Sequence, residues 1–333
     1  MAHIAVIGAG LSGMGAARRL VRADHTVTVF EKSRGVGGRM ASRRVGDTVI
    51  DHGLPALWLD GGALSERVRS LPSQALVEIS LPVGGRGEGV TCDSGAPPVA
   101  YRPGLTTLAK MILSDAGISP VLSARIAIMR PASGGIELGD EQGNGRGVFD
   151  AVVVSAPAPQ AAELLATHPD GQAAATLLGD VSYAPALVVA LGVDLPARPP
   201  WFGVRGGPDD ALSWVGVETA KGREAVDGIV PVVAHLSPGV SRDLYDVSED
   251  AVLEVALPEI EKIIGGSALT PDWVQVKRWR YARPESTRDF AALNPRGSRL
   301  MVCGDATTAD GAEAVYASGI AAANGLLAAF AGS

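Results

Sequence analysis

The sequence predicts an α/β protein in which a parallel sheet is interrupted by a second, antiparallel sheet. His3 to Ala9 is a short apolar strand, followed by a glycine-rich turn, a helix from Met14 to Ala23 and a strand from Thr26 to Phe30. Phe149 to Ser155 and Leu300 to Cys303 resemble strands that are buried on both faces, as parallel sheets require. The chain between these last two segments contains further predicted strands, which we assign to the antiparallel sheet.

The turn after the first strand follows the pattern G-x-G-x-x-G. Gly8 permits a tight turn, Gly10 lets the backbone approach a pyrophosphate, and Gly13 lets helix and strand pack closely. The N-terminus of the next helix offers free N–H groups to the phosphates. Glu31 follows Gly13 by 18 residues, where a carboxylate can accept hydrogens from an adenosine ribose and disfavours a 2′-phosphate. This unit therefore predicts a dinucleotide site that suits FAD or NAD better than NADP.

The remaining elements are predicted from apolar periodicity and from turn residues. Predicted helices are Leu105 to Ala116, Ala161 to Thr167, Glu249 to Ile264 and Ala312 to Phe330. Predicted strands are Val121 to Met129, Gly135 to Leu138, Ala186 to Val193, Leu212 to Glu218, Ile229 to Leu236 and Trp273 to Trp279. Gly61 to Ala100 is interpreted as looser chain, with the glycine-rich run Gly84 to Gly89 as a turn. We expect a nucleotide domain from residues 1–60, 100–165 and 296–333, and a substrate domain from residues 61–99 and 166–295.

Composition and charge exclude several classes of protein. The chain has 333 residues, of which 47% are hydrophobic and 20% charged, and its net charge of −7 gives no basic field for nucleic acid or anionic lipid. A core strand begins at Ile4, so we expect no signal peptide. We find no run of about 18 apolar residues, and Ile320 to Phe330 is too short to span a bilayer. We therefore expect a cytoplasmic protein of about two domains, with neither a nucleic-acid nor a membrane partner.

Neither a disulfide framework nor a metal site is predicted. Cys92 and Cys303 lie far apart in the sequence. The histidines are also scattered, with no pair at i, i+4 and no cysteine partners. They are His3, His25, His52, His168 and His235.

A second glycine-rich segment follows Glu31 and runs from Lys32 to Met40. It leaves the same sheet edge as the first glycine pattern, and its glycines would let the backbone wrap closely around a cofactor. Arg39 could hold a pyrophosphate bidentately. The two phosphates of a dinucleotide would then lie between the two glycine-rich segments.

Four segments together resemble the renalase family, especially its bacterial members. Glu31 to Met40 is similar to the second FAD-contacting segment of amine-oxidase-type flavoproteins. Ser155 to Gln160, the run Arg-Trp-x-Tyr-Ala-Arg-Pro at Arg278 to Pro284, and Cys303-Gly304-Asp305 narrow the resemblance. These segments occur in the family's order, so the resemblance covers the chain from residue 1 to about residue 330.

This resemblance implies a para-hydroxybenzoate-hydroxylase-like (GR2) fold that holds FAD non-covalently. Asp305 would hold the ribityl or phosphate end, and the last helix would point its positive N-terminus at the flavin, stabilising the reduced form. Glu313 either takes part there or caps that helix. The FAD-binding residues carried over by motif are Gly8, Gly10, Leu11, Ser12, Gly13, Glu31, Lys32, Arg34, Gly38, Arg39, Met40, Ile126, Ala156, Gly304, Asp305, Glu313, Ala314 and Val315.

The family's activity is oxidation of dihydronicotinamide isomers of NAD(P)H, with hydride transfer to flavin and reoxidation by O2 to give H2O2. The residues expected on the substrate side are His235, His52, Trp279, Tyr281 and Arg283. The chain departs from the family in the run Asp51 to Trp58, which is largely apolar here, and at Ala306, where the family has Trp. These departures keep open the alternative of a flavoprotein amine oxidase or desaturase. A flavin-binding protein without catalysis is a further alternative. A flavin-free NAD dehydrogenase is disfavoured, because Gly37 to Arg39 and Gly304-Asp305 would then have no cofactor to hold.

Overall fold

The computed structural model describes residues 1–85, 97–195, 197–265, 269–308 and 311–332. Its strands are β1 His3–Ile7, β2 Thr26–Phe30, β3 Ser42–Val45, β4 Thr48–Asp51, β5 Leu76–Glu78, β6 Val83–Gly85, β7 Val99–Tyr101, β8 Ile126–Ala132, β9 Gly135–Asp140, β10 Gly145–Phe149, β11 Ala151–Val154, β12 Tyr183–Asp194, β13 Gly203–Arg205, β14 Leu212–Val217, β15 Ile229–Leu236, β16 Trp273–Pro284 and β17 Leu300–Val302. Its α-helices are α1 Leu11–Val21, α2 Ala63–Ser70, α3 Thr106–Asp115, α4 Ala158–Leu165, α5 Gln172–Gly179, α6 Pro238–Asp243, α7 Glu249–Ile264, α8 Phe290–Leu293 and α9 Ala312–Ala331.

A parallel sheet with the strand order β17-β11-β1-β2 forms the first layer. Its central strands are buried on both faces: Val152 and Val153, which point to opposite sides, are both fully buried. Helices α1, α3 and α9 pack on one face, while α4, α5 and the small sheet β8–β10 cover the other. The predicted doubly covered parallel sheet is thus confirmed, and its carboxyl edge collects the loops that follow β1, β2, β11 and β17.

A six-stranded sheet with the order β16-β12-β15-β14-β13-β6 forms the second unit. Its pairs are antiparallel except β13 with β6. One face is covered by α7 through Val252, Ala256 and Ile260. The opposite face, which carries Val188 and Trp279, packs against Ile50 of the β3–β4 hairpin. This inserted sheet confirms the predicted fold class.

The segment interpreted as looser chain contains regular structure. Residues Ala63–Ser70 form α2, and Gly84 and Gly85 end strand β6 rather than forming a turn. Residues 86–89 of that glycine-rich run, and Cys92, lie outside the described residues. The sequence around α2 does not show the capping residue that would predict a helix there. The group that caps its N-terminus is the carboxylate of Glu313, about 250 residues away.

Several strands and helices begin or end at residues other than those predicted. Strand β8 begins at Ile126 rather than Val121, because Ser123 adopts a positive φ of 52° that ends extended pairing. Strand β16 continues five residues beyond Trp279 to Pro284. Helix α1 starts at Leu11, inside the glycine pattern rather than after it.

Helix α9 is longer and more apolar than the sequence analysis allowed. It has 20 residues, and an 18-residue window within it has a mean hydropathy of 1.5, which is long and apolar enough to cross a membrane. The expectation that no such run exists was therefore wrong. The helix packs tightly on α1, where a Cβ at Gly319 would lie 1.9 Å from the Ser12 carbonyl oxygen. Core helices of folded domains pass the same length and hydropathy test.

Candidate functional site

The first glycine turn is closed to side chains at two positions and open at the third. Gly8 has a φ of +106°, and a Cβ there would lie 2.9 Å from the Ser155 carbonyl oxygen. A Cβ at Gly13 would lie 1.9 Å from the Gly8 carbonyl oxygen. A Cβ at Gly10 would meet no protein atom within 4 Å, and no side chain caps the α1 N-terminus at this residue. The turn therefore presents free helix N–H groups to an open space.

The second glycine-rich segment borders the same space. The Gly37 amide donates a hydrogen bond of 2.9 Å to the Ala9 carbonyl oxygen. Gly38 has a φ of +56°, and its Cβ would lie 3.4 Å from the Gly10 Cα atom. The two segments therefore form the two sides of one narrow backbone cradle, as the sequence analysis predicted for a dinucleotide.

Glu31 organises this cradle from the end of β2. Its buried carboxylate accepts hydrogen bonds from the Ala9 amide at 2.9 Å and from the Ser33 amide at 2.8 Å, so it fixes both glycine-rich segments. A carboxylate has about four acceptor positions, so two backbone donors leave room for ribose hydroxyls. The donor and acceptor groups of the cradle fit an adenine dinucleotide.

Arg39 and Asp305 meet across the edge of the parallel sheet. The Arg39 Nη1 atom donates to Asp305 Oδ2 and, at 3.1 Å, to the Ala282 carbonyl oxygen at the end of β16. The Tyr183 hydroxyl lies 3.1 Å from Asp305 Oδ1. Burial works against the charge of Arg39, but its hydrogen bond with Asp305 leaves the pKa raised. Arg39 thus stays cationic beside the cradle, with further N–H donors for a phosphate.

Other predicted cofactor residues line the same edge. The Ser12 and Ser155 hydroxyl groups lie 2.8 Å apart, and Gly304, with a φ of +120°, approaches Ser12 Oγ. Burial raises the pKa of the nearby Cys303 thiol to about 12, so it stays protonated. The predicted residues Leu11, Met40 and Ile126 are buried, Ala156, Ala314 and Val315 are half-buried, and Lys32 and Arg34 are exposed.

Lys32 and Glu313 contact protein groups that the sequence did not indicate. The Lys32 ammonium donates to Gln160 Oε1 at 2.9 Å. The Glu313 carboxylate accepts from the Leu64 amide at 2.8 Å and the Ser65 amide at 2.6 Å. Glu313 therefore caps α2, not the last helix, and its side chain joins the N-termini of α2 and α9.

One surface of the antiparallel sheet is here termed the hairpin face, because the β3–β4 hairpin packs against it. This face carries Val188, His235, Lys277 and Trp279. Trp279 Nε1 donates to the His52 carbonyl oxygen at 2.9 Å, and the two rings stack with centroids 5.4 Å apart. The Lys277 ammonium lies 5.1 Å from the centroid of the Trp279 ring. A cation, an indole and an imidazole are therefore assembled in one stack.

The other predicted substrate-side residues are spread along the hairpin face and its edge. Val188 pairs with Lys277 on one side and with His235 on the other. Tyr281 lies further along β16, with its ring edge-to-face against Tyr183, and Arg283 is exposed near the strand end. The structure therefore brings His52 and Trp279 into contact, places His235 two strands from Trp279, and keeps Arg283 at the periphery.

Both histidines on this side remain neutral. Burial, reinforced by Lys277, lowers the pKa of His52 to about 4, and burial with Lys221 lowers that of His235 to about 4. Neither His52 Nδ1 nor His235 Nε2 has a hydrogen-bond partner among the described residues. A small cavity beside His52 is lined by Arg43, Ile50, His52, Val188, Ala190, Gln275, Val276 and Lys277.

A buried ion cluster joins the β3–β4 hairpin to the segment between β14 and β15 of the antiparallel sheet. Lys221 Nζ lies 3.0 Å from Asp51 Oδ2 and 2.6 Å from Glu218 Oε1, while Arg223 pairs with both acids. Burial raises the Asp51 pKa and the charges of Lys221 and Arg223 lower it, with a net value of about 2. Sequence analysis missed this cluster and also Tyr183, because Asp51 lies 170 residues from Lys221 and 172 from Arg223, and Asp305 lies 122 residues from Tyr183.

Solved structures share this architecture along almost the whole chain. Cyclohexylamine oxidase from Brevibacterium oxydans IH-35A superposes with a TM-score of 0.75 at 13% identity, covering 99% of this chain and 98% of that one. A protein provisionally named protoporphyrinogen oxidase from Exiguobacterium sp. 255-15 superposes with a TM-score of 0.77 at 14% identity, covering 97% and 98%. At these identities the likeness shows the fold alone.

Sequence comparison supplies the family. A 4,4′-diapophytoene desaturase of Staphylococcus haemolyticus is 48% identical over 50 residues, which are 15% of this chain and only 10% of the desaturase. An NAD(P)-binding Rossmann-like domain profile matches residues 6–71. The profile described as flavin containing amine oxidoreductase matches residues 100–327, well over half of the chain. The chain therefore belongs to the flavin-containing amine oxidoreductase family, and it is an FAD-dependent oxidoreductase.

Proposed function

We propose that this enzyme is a renalase-like oxidase, which takes hydride from dihydronicotinamide isomers of NAD(P)H and passes the electrons to O2. FAD would lie in the cradle between Gly10 and Gly38, with Glu31 at the adenosine ribose and Arg39 with Asp305 at the phosphate and ribityl groups. The substrate would bind on the hairpin face. This assignment gives the parallel sheet the cofactor and the inserted antiparallel sheet the substrate.

The observation that carries this proposal is the positive charge of the side chains around a water-sized cavity beside His52. Arg43 and Lys277 line it, and none of the residues lining this described cavity is a carboxylate. Cationic side chains attract the phosphates of a dinucleotide and repel a protonated amine. The stack of Trp279 and His52 next to the cavity adds flat surfaces that suit a planar ring.

The neutral histidines support the same substrate. With pKa values of about 4, His52 and His235 are uncharged imidazoles at neutral pH and can donate or accept hydrogen bonds without adding charge. A dihydronicotinamide gains one positive charge as hydride leaves, and neutral histidines add no repulsion to that of Arg43 and Lys277. Residues on the hairpin face would therefore orient the ring rather than exchange protons with it.

The chemistry that bound FAD supplies is acceptance of the hydride and, with one proton from solvent, delivery of two electrons to O2 to give H2O2. Arg39 would bind and neutralise phosphate charge at the cradle. The first turn of α9 would stabilise negative charge at the cofactor through its N–H groups. Trp279 and His52 would hold the substrate ring and exclude water from it.

The test is an anaerobic titration of the purified enzyme with NADH and, separately, with its dihydronicotinamide isomers, followed at the visible flavin band. We expect the isomers to bleach the band rapidly, and we expect air to restore it with formation of H2O2. A matched Lys277→Gln variant should need several-fold more substrate for the same bleaching rate. A yellow protein that no dihydronicotinamide reduces would reject the proposal.

The second candidate is oxidation of an amine or desaturation of a biosynthetic intermediate. It is favoured by the fold shared with cyclohexylamine oxidase, by the short match to a diapophytoene desaturase, and by the apolar run that follows His52. Bleaching of the flavin by an amine, with no response to dihydronicotinamides, would select this candidate.

A further inference from the structure

Tyr183 lies where the two sheets meet the cofactor edge. It is the first residue of β12, and its ring packs edge-to-face on Tyr281 with centroids 5.6 Å apart. Its hydroxyl reaches out of the antiparallel sheet to the loop that follows β17, where it contacts Asp305. A side chain of the inserted sheet therefore contacts the acid assigned to the cofactor.

The hydrogen bonds of this hydroxyl have a fixed direction. The Ala158 amide, in the first turn of α4, donates to the Tyr183 oxygen at 3.2 Å. The single hydroxyl proton is therefore available to Asp305 Oδ1, which lies 3.1 Å away. Burial, with the nearby Asp305 charge, raises the pKa of Tyr183, so the proton stays on the hydroxyl throughout the neutral range.

Asp305 is thus held on both of its oxygens. Tyr183 donates to Oδ1 and Arg39 donates to Oδ2, while Arg39 also reaches the Ala282 carbonyl oxygen. These contacts fix the plane of the carboxylate and leave one acceptor position on each oxygen for a ligand hydroxyl. A carboxylate free to rotate would have to be ordered again each time FAD binds.

We propose that Tyr183 is a positioning residue, which holds Asp305 in the orientation that receives the flavin half of FAD. It acts through Asp305, and its role is confined to the flavin half of the site. The proposal rests on the FAD cofactor of the family and is independent of which substrate the enzyme oxidises.

The experiment compares FAD release from holoenzyme prepared with Tyr183→Phe, with Tyr245→Phe and without substitution, using the fluorescence of free FAD after dilution. Phenylalanine keeps the ring packing on Tyr281 and removes only the hydroxyl. Loss of one hydrogen bond to a charged group should speed release about ten-fold. Tyr245, whose ring lies under Arg280 away from the cofactor edge, should change nothing when replaced.

Two further measurements separate positioning from a general loss of structure. In an Asp305→Ala background, Tyr183→Phe should have little additional effect on FAD release, because no carboxylate is left for the hydroxyl to hold. The affinity of the FAD-stripped chain for AMP should stay unchanged, since AMP is the adenosine half of FAD. Unchanged FAD release in Tyr183→Phe, full additivity with Asp305→Ala, or an equal loss of AMP affinity would each overturn the proposal.

Discussion

The carboxyl edge of the parallel sheet and the hairpin face of the antiparallel sheet are built from different parts of the chain. At the edge, backbone defines the site: a Cβ at Gly8 or Gly13 would lie within 3 Å of a carbonyl oxygen. On the hairpin face, side chains define it, with Trp279 stacked on His52 and with Lys277 and His235 on either side of Val188. A backbone cradle suits the part of a dinucleotide that all such ligands share, whereas a side-chain surface can change its substrate by substitution.

We expect the largest effect from Gly10→Val, which tests whether the backbone cradle holds the pyrophosphate. Because a Cβ there meets no protein atom within 4 Å, the chain should fold normally, but the side chain would fill the space assigned to pyrophosphate. We expect FAD retention to be abolished, measured as the flavin absorbance of the purified protein. The control is Gly145→Val on β10, which also projects into open space but lies in neither glycine-rich segment and should keep its flavin. Full flavin occupancy in Gly10→Val would show that the pyrophosphate lies elsewhere.

The join between the β3–β4 hairpin and the antiparallel sheet is tested by Lys221→Met. This change leaves Asp51 and Glu218 with one cation fewer in a fully buried cluster. Breaking a buried pair from one side should lower the free energy of unfolding by about 3–5 kcal/mol. Urea unfolding measures the effect, and Lys262→Met, from a solvent-exposed pair with Glu259, should cost less than about 1 kcal/mol. Equal effects in the two variants would mean that the cluster does not hold the hairpin against the antiparallel sheet.

The smallest effect concerns the neutral histidines of the hairpin side. Because the pKa values of His52 and His235 fall from 6.5 to about 4 on folding, the unfolded chain binds more protons between these values. Stability is therefore fully present above pH 6.5 and is lost as the pH falls towards 4, by about 2 kcal/mol for each histidine at pH 5. The free energy of unfolding, measured with urea at pH 7 and at pH 5, should show this fall. The fall should be smaller in His52→Gln and in His235→Gln. An unchanged fall in both variants would contradict buried neutral imidazoles.

The two regions also differ in how far the sequence predicts them. The pattern from Gly8 to Glu31 is local, so the turn, the helix and the acid could be placed from spacing alone. Strand β15 was predicted with its observed limits from a continuous apolar run. In contrast, Trp279 and His52 are 227 residues apart, and Tyr183 and Asp305 are 122 apart. No local pattern specifies such contacts, because they arise from the register of one sheet against another.

Glu313 shows the same limit at a single residue. Its position in the first turn of a glycine- and alanine-rich helix suggested a role at the cofactor or at that helix. The structure directs its carboxylate to the amides of Leu64 and Ser65 instead. Capping of a helix by a distant acid satisfies the same N–H groups as a local cap, but it leaves no trace beside the helix that it caps.

The charge balance of the buried ion cluster limits how this enzyme can be recombined with its relatives. The inserted sheet supplies two cations and one acid to that cluster, and the β4 hairpin supplies the second acid, Asp51. A chimera that exchanged only the inserted sheet would keep this balance only if the recipient carried an acid at the position of Asp51. Shuffling of substrate specificity among such flavoenzymes therefore has to move the hairpin and the sheet as one unit.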